Sequence, residues 1–369
     1  SVLRRERVRQ VRTQPILKEL QAWMGQTLQD VSAKSPLAQA IGRMGGEARW
    51  FIAGPLEGYM HAHERIVRNR REAGEFAPQA VFSASNWVPH FFPGLKVQVF
   101  HGFNVEKRAP QRGHFRIRGL FDLYCTQGPA TTGPFQQLAR QHGHFEVVET
   151  GWPKLDPLFA EDAGSGDSLR PADGRAVCMY AATFTQSLSS AEILYPHLAA
   201  QVARGDRYWL LTLHPKCDAD LVQRYRALEG PNARYLEAVD LVSMMRAADV
   251  LVSDTSSAVS EFIVQGKPVV TFRNRAPRPH MLDICNVDEL DAAITHALGR
   301  PAELMQAIHD YAHSIHPYRD GRSSERVLAA AEAIASNPSR ALARKPNNLL
   351  RKLHGHLRYR RWTTNSDAD

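Results

Sequence analysis

The sequence predicts an α/β protein of two doubly wound halves, each a parallel sheet covered by helices. Three observations carry that expectation. Short β-prone runs alternate with polar or helix-like stretches through most of the chain. The alternation breaks at residues 161–175, Glu161-Asp-Ala-Gly-Ser-Gly-Asp-Ser-Leu-Arg-Pro-Ala-Asp-Gly-Arg175, which hold no apolar pattern, and then resumes. The length of 369 residues also suits about two domains of ordinary size.

In chain order, the apolar positions Ile16, Leu17, Leu20, Trp23, Met24, Leu28 and Val31 recur at helical spacing and predict a leading amphipathic helix. Strand-like runs follow at Trp50–Ala53, Ala80–Ser85, Lys96–His101, Leu123–Thr126 and Phe145–Glu149, separated by helix-like or polar segments such as Gly58–Arg71 and Pro134–His142. Beyond the break, strands are expected at Ala176–Ala181, Tyr208–Leu213, Ala233–Leu236, Asp249–Val252 and Pro268–Phe272. Helices are expected at Ala191–Ala203, Leu241–Ala247, Ser257–Gln265 and Asp288–Leu298. The expected division is therefore a first domain over 1–160, a linker over 161–175, a second domain over 176–335 and a basic tail over 336–369. Ligands of such a protein bind at the carboxyl ends of the strands, between the two halves.

Composition narrows the class. Hydrophobic residues make up 43% and charged residues 23% of the chain, so the body is neither disordered nor collagen-like. No run approaches the roughly 18 apolar residues of a membrane-spanning helix, and the mean hydropathy is -0.37. The opening Arg4-Arg5-Glu6-Arg7 has no apolar stretch or cleavage site of a secretory signal behind it. Cys125, Cys178, Cys217 and Cys285 form no C-x-x-C pair, which fits reduced thiols in a cytoplasmic protein.

The net charge of +8 is unevenly placed. Residues 1–18 carry net +5 and residues 341–362 net +7, so the body between is mildly acidic. A nucleic-acid-binding domain would carry its basic face through the folded body, so nucleic acid is excluded as a partner. Basic ends suit an anionic membrane surface. The terminal segment adds Leu349, Leu353 and Leu357 on one helical stripe among Arg and Lys, closed by Tyr359 and Trp362. Two readings stand for it: an interfacial helix, or a solvated basic tail.

The strongest local signal is Asp249-Val-Leu-Val-Ser253-Asp254-Thr255-Ser256-Ser257-Ala-Val-Ser-Glu261. An apolar strand ends in four hydroxyl residues and one Asp, and a helix begins there. Helix N–H groups and hydroxyl donors together suit a diphosphate, and Glu261, one turn on, suits a ribose diol. The plain alternative is a helix cap. Phe100-His101-Gly102-Phe103 and Leu211-Thr-Leu-His214-Pro215-Lys216 each place a His just past a strand, where an imidazole near pKa 6.5 suits proton transfer. With 16 histidines in the chain, any single one is more often structural, but two at equivalent strand ends are less easily dismissed. The pairs His61-x-His63, His142-x-His144 and His354-x-His356 lack the Cys or carboxylate partners of a metal site. No dinucleotide fingerprint, P-loop or nucleophile elbow is present.

His101-Gly102 with Lys107, Gly151-Trp152-Pro153-Lys154-Leu155-Asp156-Pro157-Leu158, Tyr180-Ala-Ala-Thr183-Phe184, His214-Pro215, Ser253–Ser257 with Lys267-Pro268, and Asp320-Gly321-Arg322-Ser323-Ser324-Glu325-Arg326 follow one another in order. In these motifs, over roughly residues 95–330, the sequence resembles the CDP-glycerol glycerophosphotransferase family. It departs from the family's usual pattern in the spacing of Lys107 and at Ala182, Thr255 and Glu261. The resemblance implies two Rossmann-like domains facing across a cleft (the GT-B arrangement), a peripheral position at the cytoplasmic membrane face, and a place in teichoic-acid or capsule biosynthesis. It implies transfer of glycerol phosphate from CDP-glycerol, a CDP-activated polyol donor, to a hydroxyl of a glycan or lipid-linked acceptor, with CMP released; no cofactor is implied, and an assisting divalent ion, for which the sequence shows no ligand set, stays open. It implies His101 as general base, His214 as partner at the donor phosphate, and Ser253, Asp254, Thr255, Ser256, Ser257, Glu261, Gly102 and Arg322 as the donor-binding set. The length matches the single-transfer enzymes rather than the polymerases. Two other expectations remain open: a nucleotide-sugar glycosyltransferase on the same two-domain plan, and a non-enzymatic glycan-assembly component that keeps a nucleotide-binding fold.

Overall fold

A computed structural model describes residues 19–24, 35–52, 65–67, 69–103, 113–160, 167–214, 216–237, 241–336 and 342–358. The chain forms two compact units, one of residues 1–156 with 322–369 and one of 157–321.

The first unit is built on a seven-stranded parallel sheet: β1 (Glu19–Met24), β2 (Glu47–Ile52), β3 (Arg65–Ile66), β4 (Ala80–Ser83), β5 (Leu95–Gln98), β6 (Leu123–Thr126) and β7 (Glu146–Glu149). The strand order is β3-β2-β1-β4-β5-β6-β7, which reverses direction between β1 and β4. Helices α1 (Ser35–Arg43), α2 (Arg70–Phe76) and α3 (Pro129–His142) connect the strands. Both sheet faces are buried, so alternate residues feed two cores. Phe82, Val97, Leu123 and Cys125 pack with Leu37 and Ile41 of α1, while Val81 and Tyr124 pack with Phe135 of α3.

The leading helix expected over residues 16–31 is not what forms. Glu19–Met24 is β1, with Leu20 paired to Ala48 of β2 on one edge and to Ala80 of β4 on the other. Leu20 and Met24 satisfy a period of two as well as a helical one. A place between two parallel neighbours gives the backbone partners on both edges, which decides the matter. The remainder of that helix, with the basic residues 1–18, lies outside the described residues.

The second unit holds a six-stranded parallel sheet: β8 (Val177–Ala182), β9 (Tyr208–Leu213), β10 (Ala233–Tyr235), β11 (Val250–Ser253), β12 (Val269–Phe272) and β13 (Leu282–Ile284). Its order is β10-β9-β8-β11-β12-β13, reversing between β8 and β11. Its helices are α4 (Ala191–Arg204), α5 (Ala219–Arg226), α6 (Leu241–Ala247), α7 (Ser257–Ile263), α8 (Leu290–Leu298) and α9 (Ala302–Ile315). Cys178, Tyr180, Trp209, Leu211, Val250 and Val252 are buried in one core with Leu194 and Leu198 of α4. Lys267 anchors the turn before β12: its Nζ donates to the carbonyls of Met245, Arg246 and Ala248 at the end of α6, and burial lowers its pKa to about 8.

The chain then returns. α10 (Ser323–Ala335) belongs to the first unit, not to a second domain ending at 335, and packs Val327, Leu328 and Ala331 into the core of α1, β4 and β5. Asp156, buried, is the reason. Its Oδ1 accepts from the Ser323 N–H at 2.8 Å and its Oδ2 from the Ser324 N–H at 2.7 Å, capping α10 from 167 residues away. Two motifs that looked chemical in the sequence thus meet as a structural clamp. The tail continues as a strap held by Lys345, whose Nζ donates to Leu120 O and pairs with Asp122, and by Asn348, whose Nδ2 donates to the carbonyls of Arg118 and Gly119. It ends in α11 (Leu349–Arg358), where Gly355 lies against Trp87; a Cβ there would meet Trp87 Cζ2 at 3.0 Å.

Replacing Asp156 by Ala should remove about 2 kcal/mol of stability, as loss of a buried cap does. Asp156→Asn, which keeps one accepting oxygen, should fall between the two. Urea midpoints of the three proteins check this ordering.

Candidate functional site

All strands being parallel, the carboxyl ends of each sheet share one edge, and the chemistry gathers at that edge in each unit. In the second unit the organiser is Asp254, which follows β11 at the reversal point and is fully buried. Its carboxylate accepts from the Thr183 N–H at 2.9 Å, the Ser190 N–H at 2.9 Å and the Ser190 hydroxyl at 3.0 Å. Burial pushes this carboxyl up, and the three donors pull the other way. The Asp254 carbonyl in turn accepts from Asn274 Nδ2. Segments following β8, β11 and β12 are thereby tied to one another.

This placement changes the expected roles within Ser253–Ser257. Ser253 is fully buried and its hydroxyl donates to Ala181 O at 2.6 Å, so Ser253 and Asp254 serve the framework instead of facing a ligand. The outward chemistry belongs to Thr255, Ser256 and Ser257, all partly exposed. Thr255 Oγ1 accepts from the Arg275 N–H at 2.9 Å, and Ser256 Oγ accepts from the Ala258 N–H at 3.3 Å as the cap of α7. Each hydroxyl therefore receives a backbone proton and keeps its own O–H to donate, the polarity an anion needs. Glu261 lies buried on α7.

The loop Arg273–His280 after β12 was not among the sequence candidates. It is bound to the turn through Asn274 and Arg275, and it begins at Arg273 with φ 51°, a left-handed conformation uncommon for such a residue. Its legible signal is Arg273-Asn-Arg-Ala-Pro-Arg-Pro: three arginines in a proline-stiffened run directly past a strand.

His214 follows β9 and is half-buried, with its ring 4.4 Å from that of Phe184, which follows β8. The Lys216 backbone N–H donates to His214 Nδ1 at 3.1 Å. Nδ1 must therefore carry the lone pair, and the proton of the neutral ring sits on Nε2. Burial, then the charge of Lys216, lowers the pKa. His214 is thus held as the tautomer whose Nε2–H is available to donate.

His101, past β5 in the first unit, has the opposite tautomer. Its Nδ1 lies 3.3 Å from Ala84 O, past β4, and a carbonyl only accepts, so Nδ1 carries a proton and, in the neutral ring, Nε2 holds the lone pair. The ring is exposed. The preceding Phe100 adopts φ 58°, a strained value for an aromatic residue, and is pinned there: its carbonyl accepts from Trp152 Nε1, and His114 stacks on its ring at 4.5 Å. Gly102 is buried, with its carbonyl accepting from Gln127 Nε2. Burial, then the charge of His101, lowers the His114 pKa to about 4.

Arg322 is exposed, pairs with Glu325 and belongs to the first unit with His101 and Gly102, while the hydroxyl turn, Glu261 and His214 belong to the second. Lys107, Pro215 and His61-x-His63 lie outside the described residues. His142 and His144 have ring centres 5.6 Å apart. Among the described residues, no group of three or more His, Cys, Asp or Glu side chains is placed to hold a metal ion. The Cys125 and Cys178 thiols are buried and pushed up, that of Cys178 to about 12, so neither is a nucleophile.

The sequence model of the UDP-N-acetylglucosamine 2-epimerase family matches residues 174–332, which is most of the second unit and most of α10. Similar solved structures include the wall teichoic acid polymerase TagF in a CDPG-soaked form (14% identity, TM-score 0.62, 89% of this chain and 91% of that one). They also include MnaA of S. aureus with UDP (14%, TM-score 0.59, 89% and 99%) and the glycosyltransferase SnogD of Streptomyces nogalater (17%, TM-score 0.55, 85% and 99%). At these identities the likeness establishes the fold: two Rossmann-like units of the GT-B type. No curated protein matches the sequence significantly.

The low His114 pKa makes a stability prediction. The folded state binds this proton more weakly than the unfolded chain, so stability is full above pH 6.5 and is lost as pH falls toward 4. The loss from this group should be about 2 kcal/mol by pH 5. Urea titrations at pH 7 and pH 5 should show a smaller loss in His114→Phe than in the natural protein.

Proposed function

We propose that the protein transfers a polyol phosphate, with CDP-glycerol as donor, to a hydroxyl of a cell-surface glycan or lipid-linked acceptor and releases CMP. The observation that carries this reading lies at the edge of the second unit, where His214 keeps an Nε2–H and Thr255 and Ser256 keep their hydroxyl protons to offer a diphosphate. In the proposed reaction His101 Nε2 takes the acceptor proton while the acceptor oxygen bonds to the β-phosphorus. The bridging P–O bond breaks and CMP departs with the electron pair. His214 Nε2–H and the Thr255, Ser256 and Ser257 hydroxyls stabilise the charge that gathers on the phosphates. The order of motifs that resembles the glycerophosphotransferases and the GT-B fold both support it.

A second reading has its own observation. The epimerase-family match over 174–332 favours a nucleotide sugar as donor in a sugar-transfer or epimerisation reaction. The same hydroxyl turn would serve, but the nucleotide would not leave as a monophosphate.

The proposal includes a place of work. Among the described residues no helix is long and apolar enough to cross a membrane. α11, however, leaves Leu349, Leu350 and Leu353 at 72%, 83% and 56% exposure, beside Arg351 and Lys352, at the end of a strap hydrogen-bonded to the first unit. Leucines beside basic residues on one short helix suit an anionic lipid surface, where a lipid-linked acceptor resides.

His101→Ala should lower CMP release from CDP-glycerol by about 100-fold or more, the scale of a lost general base, with little change in donor affinity. Unchanged turnover would remove His101 from the mechanism. For the tail, the triple change of Leu349, Leu350 and Leu353 to Gln should abolish co-sedimentation with phosphatidylglycerol vesicles, and binding of the natural protein should weaken with salt.

A further inference from the structure

Phe184 follows a buried strand yet remains 45% exposed, which is unusual for a large aromatic side chain in the body of a folded unit. It is occupied instead by two polar neighbours. The His214 ring lies 4.4 Å away, and the Lys216 Nζ sits 5.3 Å from the ring centre, within cation–π range. Lys216 is exposed and has no ion pair among the described residues. The nearby Asp218 is committed elsewhere, its Oδ1 accepting from the Asp220 and Leu221 N–H groups to cap α5. The backbone of Lys216 already acts on its neighbour by holding the tautomer of His214. One short loop thus presents an ammonium and an imidazole N–H that both lie against the Phe184 ring.

We infer that Lys216 is a donor-binding residue: its ammonium, steadied over Phe184, grips the phosphate oxygens of a nucleoside diphosphate alongside His214 Nε2–H. The inference rests on the nucleotide-donor reading and assigns to it a residue that no motif contributed. Two adjacent donors of like polarity match a diphosphate better than a single phosphate, because both oxygen clusters are then met. The cation–π contact limits how far the flexible lysine stem wanders, which lessens the entropy lost when an anion orders it.

Isothermal titration of the full chain with CDP, CMP and inorganic pyrophosphate at two salt concentrations tests this. Lys216→Met should weaken CDP by about tenfold or more, weaken CMP less, and flatten the salt dependence. Lys216→Arg, which keeps the charge, should stay within about threefold of the natural protein. Phe184→Ala, at an exposed position, should weaken CDP as well by releasing the ammonium. Thermal melting confirms that each variant is folded. Equal CDP affinity of Lys216→Met and the natural protein at both salt concentrations overturns the role of Lys216 and leaves the nucleotide-donor reading standing. Failure of the natural protein to bind CDP, CMP and pyrophosphate overturns both.

Discussion

The carboxylate of Asp254 constrains everything at the functional edge of the second unit. A fully buried carboxylate is costly unless donors surround it, and here three donors from the segment after β8 do so. Once Asp254 is committed inward, β8 and β11 are locked together at the point where the sheet order reverses. The turn beyond it is partly exposed, and Thr255 and Ser256 accept from backbone N–H groups, which leaves their own O–H groups available to donate. The loop after β12 is aligned through Asn274 in the same act. The site is thus a consequence of one satisfied buried charge.

The same economy governs the histidines. Neither imidazole is placed by a charged partner; each is set by one backbone group. A carbonyl at His101 and an N–H at His214 select opposite tautomers from identical side chains. Beside His101, Trp152 and His114 hold the Phe100 backbone against its preference.

Much of the architecture was legible because both sheets are buried on both faces. Runs such as Leu123–Thr126 and Tyr208–Leu213 emerge with the expected ends, since continuous apolar stretches bounded by polar turns admit few other readings. The short β13, Leu282–Ile284, gave no comparable signal: two half-buried residues and one buried one make no pattern. The helix expected around Trp23 failed because six residues cannot separate the two periods. The boundary at 335 failed because the bond from Asp156 to Ser323 and Ser324 spans far more sequence than any local pattern records. At the site, residue types were legible and directions were not. Ser253 and Asp254 read like Thr255 and Ser256 in a string of hydroxyl and acid residues, and only the fold separates the inward pair from the outward one.

In the proposed reaction the bond broken is the phosphoric anhydride, not the bond from phosphate to the transferred group. Phosphorus NMR of the protein incubated with CDP-glycerol and acceptor-bearing membranes reads this directly. The account predicts loss of the paired diphosphate resonances, with equal growth of a CMP monoester and a new phosphodiester signal. Persistent diphosphate resonances with CDP-glycerol, together with release of a free nucleoside diphosphate or epimerisation when a nucleotide sugar is supplied, would contradict it.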